Sequence, residues 1–195
     1  MEVAIINYNA GNVQSVLFAM ERLGVEAVLT DDPATIRAAK RVIFPGVGEA
    51  NTTMRYLRER GMDDLIRSLT QPVLGICLGM QLLCEHSAEN ETDCLGIIPQ
   101  QVKKFQPKQG EKVPHMGWNA IRDLKSRILM PDLEGEYVYF VHSYYVEAGE
   151  FTTAISDYTL PFSAALQKDN FYATQFHPEK SGKVGERILR NFLAL

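Results

Sequence analysis

The sequence predicts an α/β fold: an open, mainly parallel sheet flanked by helices, with antiparallel additions in the C-terminal half. In the N-terminal half, short apolar runs of strand length alternate with segments whose apolar residues recur at helical spacing. From Gly96 onward, strand-like pieces are joined by short polar turns, which is typical of antiparallel or mixed sheet at the edge of a parallel one. The 195 residues contain no linker or repeat, so we expect one domain over residues 1–195.

The individual elements follow from the same periodicity. In the N-terminal half we predict strands at 3–8, 25–29, 41–44 and 73–76, and helices at 13–23, 31–39, 51–60, 63–69 and 78–85. Gly24 and Gly61 lie where helices end, since glycine readily adopts the left-handed conformation of a C-cap. A polar loop is predicted at 87–94. Further strands are predicted at 102–105, 118–121, 136–146, 152–155, 162–167 and 171–176, before a closing helix at 181–195 with Ser181 as its N-cap.

Composition excludes several classes of function. With 46% apolar and 23% charged residues the chain is ordinary for a globular protein, and a net charge of −4 gives no support for nucleic-acid binding. No apolar run approaches the length of a membrane span, and the N-terminus has no basic segment of a secretory signal. The three cysteines, Cys77, Cys84 and Cys94, have no disulfide spacing. We therefore expect a cytoplasmic protein with reduced thiols.

Cys77 is the first candidate for chemistry. It lies between a buried strand and a helix and is flanked by glycines in the segment Gly75-Ile76-Cys77-Leu78-Gly79. This is the pattern of a nucleophile elbow with sulfur in place of oxygen, in which a tight turn projects the side chain from the end of the sheet. A small cysteine buried in a core strand explains the same residues equally well. Cys84 is predicted to be such a core residue.

A second segment, His177-Pro178-Glu179, offers a base for this nucleophile. Residues two apart in an extended chain share a face, and Pro178 pushes His177 toward extended geometry. Glu179 can then orient the imidazole while the other ring nitrogen faces a thiol, which is the logic of a catalytic triad. Alone, this segment is more often a surface turn. Its presence in one chain with the Cys77 elbow favours the triad.

Together with Pro45-Gly46-Val47-Gly48, these two segments resemble the class I (triad-type) glutamine amidotransferases. Two further segments, residues 114–119 and 139–144, resemble the glutaminase subunits of imidazole glycerol phosphate synthases, in histidine biosynthesis. The resemblance implies a flavodoxin-like sheet and the hydrolysis of glutamine to glutamate and ammonia by Cys77, His177 and Glu179. It implies no cofactor. The other histidines show no metal-ligand spacing, so no metal is expected.

The remaining site residues rest on the glycine-rich turn and on the resemblance. Backbone amides at Val47, Gly48 and Leu78 are the expected oxyanion hole, since glycines at a strand end let the backbone approach a ligand. By resemblance, Gln81, Glu89, Ser143 and Tyr144 fall at glutamine-binding positions, whereas Trp118, Tyr139 and Lys180 face a partner. The resemblance implies that this partner is the cyclase subunit HisF, a (β/α)₈ barrel that forms a heterodimer with the glutaminase and receives its ammonia to make imidazole glycerol phosphate and AICAR.

One turn departs from the sequence of the related subunits. The relatives usually read Asp-Tyr-Gly where this chain has Asn7 and Asn9; asparagine tolerates left-handed geometry, so we expect the turn at 7–12 to survive.

Three alternative functions remain open. One alternative is a glutaminase of anthranilate or aminodeoxychorismate synthase, although those typically read Pro-Gly-Pro-Gly where this chain has Val47. The second is a freestanding γ-glutamyl peptidase. The third, an interaction domain with a dead triad, is disfavoured because all three triad residues are present.

Overall fold

A seven-stranded sheet forms the centre of the computed structural model, which describes residues 1–8, 13–108 and 110–195. The strands of the molecule are β1 (Val3–Ile6), β2 (Ala27–Thr30), β3 (Arg41–Phe44), β4 (Val73–Ile76), β5 (His86–Ser87), β6 (Thr92–Asp93), β7 (Gln101–Lys104), β8 (His115–Ala120), β9 (Tyr137–His142), β10 (Tyr144–Val146), β11 (Thr152–Tyr158), β12 (Leu160–Lys168) and β13 (Phe171–Thr174). The helices are α1 (Gln14–Arg22), α2 (Pro33–Ala38), α3 (Ala50–Glu59), α4 (Met62–Arg67), α5 (Leu78–Leu83) and α6 (Gly182–Leu193).

The central sheet has the order β11-β12-β13-β4-β3-β1-β2. The five strands from β13 to β2 are parallel, and β12 and β11 extend one edge antiparallel. The predicted fold, a mainly parallel sheet with antiparallel additions from the C-terminal half, is confirmed. Two smaller sheets, β10-β7-β5-β6 and the β8–β9 hairpin, pack beside it.

Both faces of the inner parallel strands, β1, β3, β4 and β13, are buried, because alternate residues enter two different cores. In β1, Ala4 and Ile6 pack with helices α2 to α5, while Val3 and Ile5 pack with α1 and α6 on the opposite face. Strand side chains alternate between faces, so a strand covered on both sides must be apolar throughout. This explains why these strands are continuous apolar runs in the sequence.

Several predicted boundaries coincide with the structure. Asp32 caps α2 by accepting a hydrogen bond from the Thr35 amide at 2.8 Å. Gly24 follows α1 with φ +71°, and Gly61 separates α3 from α4 with φ +63°. Strands β3 and β4 have the predicted limits.

Other predictions about local structure were wrong or fall outside the described residues. The predicted polar loop at 87–94 contains most of the β5–β6 hairpin, and α5 ends at Leu83 instead of residue 85. Ser181 precedes α6 but its side chain does not cap the helix. Of the predicted turn at 7–12 the structure describes Asn7 and Tyr8, and the expectation for Asn9 lies outside the described residues.

The topology brings the candidate site segments to one edge of the sheet. Strands β3, β4 and β13 are neighbours and parallel, so the residues that follow them meet at their carboxyl ends. Those residues are the Pro45–Gly48 segment, Cys77 and the segment that ends in Glu179. Among the described residues, no helix is long and apolar enough to cross a membrane.

Candidate active site

Cys77 lies in a strained turn between β4 and α5. Its φ is +53° and its ψ is −108°, a conformation that residues other than glycine rarely adopt. The turn is held on both sides: the Cys77 amide donates to the Thr174 carbonyl at 2.7 Å, and the Cys77 carbonyl accepts from the Gln81 amide at 3.2 Å. Backbone strain of this kind persists only where the surrounding structure fixes it, and it clusters at functional sites.

The elbow is packed directly against the turn that follows β3. A Cβ atom added at Gly79 would lie 2.1 Å from the Phe44 carbonyl oxygen, and one added at Gly46 would lie 2.2 Å from the Gly79 nitrogen. Both approaches are closer than any side chain permits, so glycine is required on each side of this contact. The predicted oxyanion segment and the predicted nucleophile are therefore held together by backbone contact.

The His177 and Glu179 side chains form a buried pair. Nδ1 of His177 lies 2.8 Å from Oε1 of Glu179, and the two side chains are 2% and 3% exposed. Since a carboxylate can only accept, the proton of this hydrogen bond belongs to Nδ1, which leaves Nε2 as the reactive nitrogen. Nε2 is buried and has no hydrogen-bond partner among the described residues.

The thiol of Cys77 is held by two other groups. Its Sγ lies 3.8 Å from the Val141 carbonyl, to which it can donate, and accepts from the side-chain amide of Gln175 at 3.7 Å. Burial works against a charge on His177, but Cys77 and Glu179 outweigh it and raise the pKa of the imidazole to about 10.

The predicted oxyanion segment has a defined geometry. The Tyr8 hydroxyl donates to the Pro45 carbonyl from a buried position, and Gly48 has φ +133°, which favours glycine. The amide of Leu78, one predicted donor, points to the Gly46 carbonyl at 3.4 Å. This bond is long, and a developing oxyanion would have to take its place.

A cavity of about 350 Å³ opens beside Cys77. The structure brings the following predicted site residues together in its lining: Val47, Gly48, Cys77, Leu78, Gln81, Glu89, Ser143, Tyr144 and His177. Glu179 stands behind His177 and does not line it. The cavity is of the size that small ligands occupy.

Two glutamines connect the wall of this cavity to the thiol. The Gln81 side-chain amide donates to the Tyr144 carbonyl at 3.1 Å and to the Gln175 Oε1 at 2.9 Å, and Gln175 in turn donates to Cys77. Gln175 and Tyr8 were missed by sequence reasoning. Gln175 follows the apolar strand β13 directly, and a polar residue at the carboxyl end of a buried strand was the available signal.

Glu89 contributes a carboxylate to the cavity. Its Oε2 accepts from the Ala50 amide at 2.8 Å, at the start of α3. Burial raises the pKa of Glu89, and the charge of Glu49 adds to the rise, while the Ala50 hydrogen bond opposes it.

The predicted partner-facing residues lie on the β8–β9 hairpin and beside the triad. Trp118 is 55% exposed, and its ring meets that of Tyr139 edge-on at 6.0 Å. Lys180 follows Glu179 and is half-buried. Tyr139 is tied to the triad segment, because its carbonyl accepts from the His177 amide at 2.9 Å and its amide donates to the Ser181 hydroxyl at 3.0 Å.

The other thiols and titratable groups are not arranged as a second centre. Cys84 and Cys94 are buried free thiols, and burial raises the pKa of Cys94 to about 12. Cys84 packs in the core, as predicted. In the part of the chain that the structure describes, no three His, Cys, Asp or Glu side chains converge in a way that could hold a metal ion.

Comparisons with known proteins show the family to which the chain is similar. The family described as "Glutamine amidotransferase class-I" matches residues 4–195. Proteins named "Imidazole glycerol phosphate synthase subunit HisH" are similar over the full length of both chains: that of Bacteroides fragilis is 64% identical and that of Bacteroides thetaiotaomicron 61%. The HisH of Idiomarina loihiensis is 47% identical over 100% of this chain and 98% of its own.

Solved structures show the same fold at lower identity. A putative GMP synthase protein from Thermoplasma acidophilum has a TM-score of 0.74 at 22% identity, covering 100% of this chain and 93% of its own. A structure described only as a glutamine amidotransferase also has a TM-score of 0.74, at 20% identity, covering 100% of this chain and 98% of its own.

Proposed function

The chain belongs to the class-I glutamine amidotransferases, and from this premise we propose that Cys77, His177 and Glu179 hydrolyse glutamine for an imidazole glycerol phosphate synthase. The protein is the glutaminase subunit of that synthase, as its full-length relatives named HisH support. The observation that carries the triad is the strained Cys77 turn beside the buried His177–Glu179 pair.

The proposed reaction uses each member of the triad at a separate atom. The Cys77 thiolate attacks Cδ of glutamine, and the C–N bond breaks as Nε2 of His177 gives its proton to the leaving ammonia. Nε2 then takes a proton from water, whose oxygen attacks the γ-glutamyl thioester, and glutamate leaves as the thiolate is restored. Glu179 holds the other proton of the ring on Nδ1 throughout.

Backbone amides stabilise the two tetrahedral intermediates. Val47, Gly48 and Leu78, whose amides would supply these donors, line the cavity beside Cys77. Removing one such donor typically lowers kcat by about 10²–10³-fold. The long Leu78–Gly46 contact is replaced when the oxyanion forms, because a charged acceptor makes the stronger hydrogen bond.

The α-ammonium and α-carboxylate groups of the glutamine substrate bind at the opposite end of the cavity. The Glu89 carboxylate attracts the α-ammonium group, and the segment that carries Ser143 and Tyr144 receives the α-carboxylate. Gln81 supports this segment through its hydrogen bond to the Tyr144 carbonyl. No step needs a cofactor.

The β8–β9 hairpin supplies the face for the partner, which we propose is the cyclase subunit HisF. Met116, Trp118 and Tyr137 are 64%, 55% and 57% exposed. They lie on the same face because Met116 and Trp118 alternate along β8, and Tyr137 is two residues from Tyr139, the register partner of Trp118. An exposed apolar patch of this kind marks an interaction site. The cyclase subunit, a (β/α)₈ barrel, receives the ammonia in the cytoplasm and makes imidazole glycerol phosphate and AICAR.

The alternatives predict different behaviour. Glutamine hydrolysis by the glutaminase of another synthase would be activated by a different partner subunit. A freestanding γ-glutamyl peptidase would need no partner and would hydrolyse peptides. Val47 in place of the proline of Pro-Gly-Pro-Gly disfavours the former. The exposed aromatic face disfavours the latter.

The decisive experiment measures glutamine hydrolysis by the purified chain alone and with the cyclase subunit, in the presence and absence of the cyclase's ribonucleotide substrate. We expect hydrolysis to be strongest in the complete mixture and to be matched by formation of imidazole glycerol phosphate. Hydrolysis of γ-glutamyl peptides without any partner would support the peptidase instead. Absence of glutamine hydrolysis in every mixture would refute the proposal.

A further inference from the structure

Two buried histidines have no part in the proposed catalytic steps. His115 and His142 are 4% and 6% exposed and are register partners across the β8–β9 hairpin. Their rings lie among aromatic side chains: His115 stacks on Tyr158 with centroids 4.1 Å apart, and the His142 ring is 5.2 Å from that of Phe162. Phenylalanine would fill this space without burying polar nitrogens, so the nitrogens require a reason.

All four ring nitrogens are hydrogen-bonded, and the position of each proton follows. The Tyr144 carbonyl can only accept, so Nδ1 of His142, 2.7 Å away, carries a proton. In a neutral ring Nε2 of His142 is then an acceptor, and Nδ1 of His115 donates to it at 3.0 Å. Nε2 of His115 accepts from the Asn119 amide at 3.4 Å; the Asn119 oxygen is already used by the Ala120 amide at 2.8 Å.

Both rings are neutral near pH 7. Burial lowers the pKa of His115 to about 4. Burial also lowers the pKa of His142 to about 3, against the Tyr144 hydrogen bond and with help from the charges of His115 and His177. The chain of donors therefore runs one way, from Asn119 through His115 and His142 to the Tyr144 carbonyl. We call this series the histidine relay.

The histidine relay ends in the wall of the glutamine cavity. Its acceptor, the Tyr144 carbonyl, also receives the Gln81 side chain at 3.1 Å, and Gln81 leads through Gln175 to Cys77. The segment from His142 to Tyr144 lines the cavity. Two donors on one carbonyl fix this segment more firmly than either alone, since each restrains a different lone pair.

The same hairpin carries the partner-facing residues on its other side. His115 points into the core, whereas the neighbouring Met116 and the nearby Trp118 are 64% and 55% exposed. Side chains alternate along a strand, so the inward relay and the outward face share one backbone. A shift of this hairpin would therefore move the relay together with the docking face.

We propose that His115 and His142 are positioning residues for glutamine binding, which hold the Tyr144 carbonyl and the substrate-facing segment 142–144 in their receiving geometry. The inference rests on the proposed function of the cavity. Neither histidine exchanges a proton with the substrate.

The first test needs no variant. Nitrogen NMR of the labelled full-length chain at neutral pH reports which ring nitrogen carries the proton. We expect both His115 and His142 to be neutral with the proton on Nδ1, which is the less common form of a free imidazole side chain. A proton on Nε2 of either ring would overturn the relay.

The second test separates hydrogen bonding from packing. His142→Asn keeps a donor near the place of Nδ1 but leaves space unfilled, whereas His142→Phe fills the space without a donor. In the complex with the cyclase subunit we expect His142→Phe to raise KM for glutamine by roughly five- to tenfold with kcat nearly unchanged, and His142→Asn to stay within about threefold of wild type. The reverse order would mean that the ring is needed only for packing, and would overturn the proposal.

Controls keep this result distinct from a failure of the proposed function. His86→Phe changes a half-buried histidine on β5 outside the relay, and we expect KM and kcat to be unchanged. A wild-type complex that hydrolyses no glutamine would refute the proposed function. An active wild type with an unchanged KM in His142→Phe would refute only the positioning role. Thermal melting of each variant identifies any that fails to fold.

Discussion

Replacing Glu179 with glutamine removes one negative charge from the triad while keeping the size of the side chain. In the wild type, Oε1 of Glu179 accepts the Nδ1 proton of His177 at 2.8 Å. A glutamine can place its NH₂ group there instead, and this group donates. The neutral imidazole would then hold its proton on Nε2, the atom that must serve as the base.

The expected loss of kcat in Glu179→Gln follows from the burial of the His177–Glu179 pair and from the charge on the acceptor of its hydrogen bond. Both side chains are at most 3% exposed, so the screening that weakens surface ion pairs does not apply. A hydrogen bond to a charged group contributes about 1.5–3 kcal/mol, which corresponds to roughly 10- to 200-fold in rate. If the wrong tautomer predominates, the loss approaches the roughly 10⁴-fold seen for the corresponding change in a serine protease. We therefore expect kcat to fall by between about 10- and 10⁴-fold.

The assay is glutamine hydrolysis by the complex with the cyclase subunit, with Glu91→Gln as the matched control. Glu91 also faces a histidine, with Oε2 3.8 Å from Nε2 of His86, but its side chain is 83% exposed. The control should keep wild-type activity. A loss below tenfold in Glu179→Gln, or an equal loss in both variants, would refute the role of Glu179 as the third member.

Three further outcomes are expected. Cys77→Ala should abolish glutamine-dependent synthesis by the complex but preserve synthesis from ammonium salts, and Cys84→Ala should leave glutaminase activity largely unchanged; loss of both syntheses in Cys77→Ala would contradict the nucleophile. If the oxyanion segment presents its N–H groups only when the partner is docked with nucleotide, hydrolysis should rise from isolated chain to complex to nucleotide-bound complex, with about 1.4 kcal/mol of bias for each tenfold; equal rates would favour the freestanding peptidase. The unfolded chain protonates His115 and His142 below about pH 6.5, whereas the fold keeps them neutral down to pKa values of about 4 and about 3. As the pH is lowered through this window, the free energy of unfolding should therefore decrease, by at most about 1.4 kcal/mol per pH unit for each histidine. Denaturant titrations of wild type and His115→Phe check this, and an equal slope in the two would count against it.

The local signals in the sequence were sufficient for the central sheet. Strands β3 and β4 were predicted with their observed limits because each is a short apolar run ended by a breaker or a glycine-flanked turn. The β5–β6 hairpin was missed because each strand has two residues, and β5 is held by pairing with β7 farther along the chain. Such pairing leaves no periodicity to detect.

The candidate site likewise contains residues that the local sequence predicts and residues that it does not. The segments around Cys77 and His177 could be found because their chemistry is written in consecutive residues. Ser181 was predicted as a helix cap, but its hydroxyl donates to the His177 carbonyl at 2.6 Å and accepts from Tyr139, so it braces the triad segment instead. The Tyr8 bond to Pro45 likewise joins residues that follow different strands, β1 and β3. Contacts of this kind depend on tertiary packing, which a linear pattern does not encode.

The position of β13 in the sheet has a consequence for synthesis on the ribosome. β13 lies between β4 and β12, yet it follows the whole series β5 to β12 in the chain. The Cys77 amide is bonded to the Thr174 carbonyl at the end of β13, so the elbow gains this support only after β13 has inserted. Pairings between strands so distant in sequence form late in folding. A nascent chain therefore exposes the Cys77 thiol before its turn is locked, and His177 lies only three residues beyond Thr174, so the proposed nucleophile and base reach their final positions together.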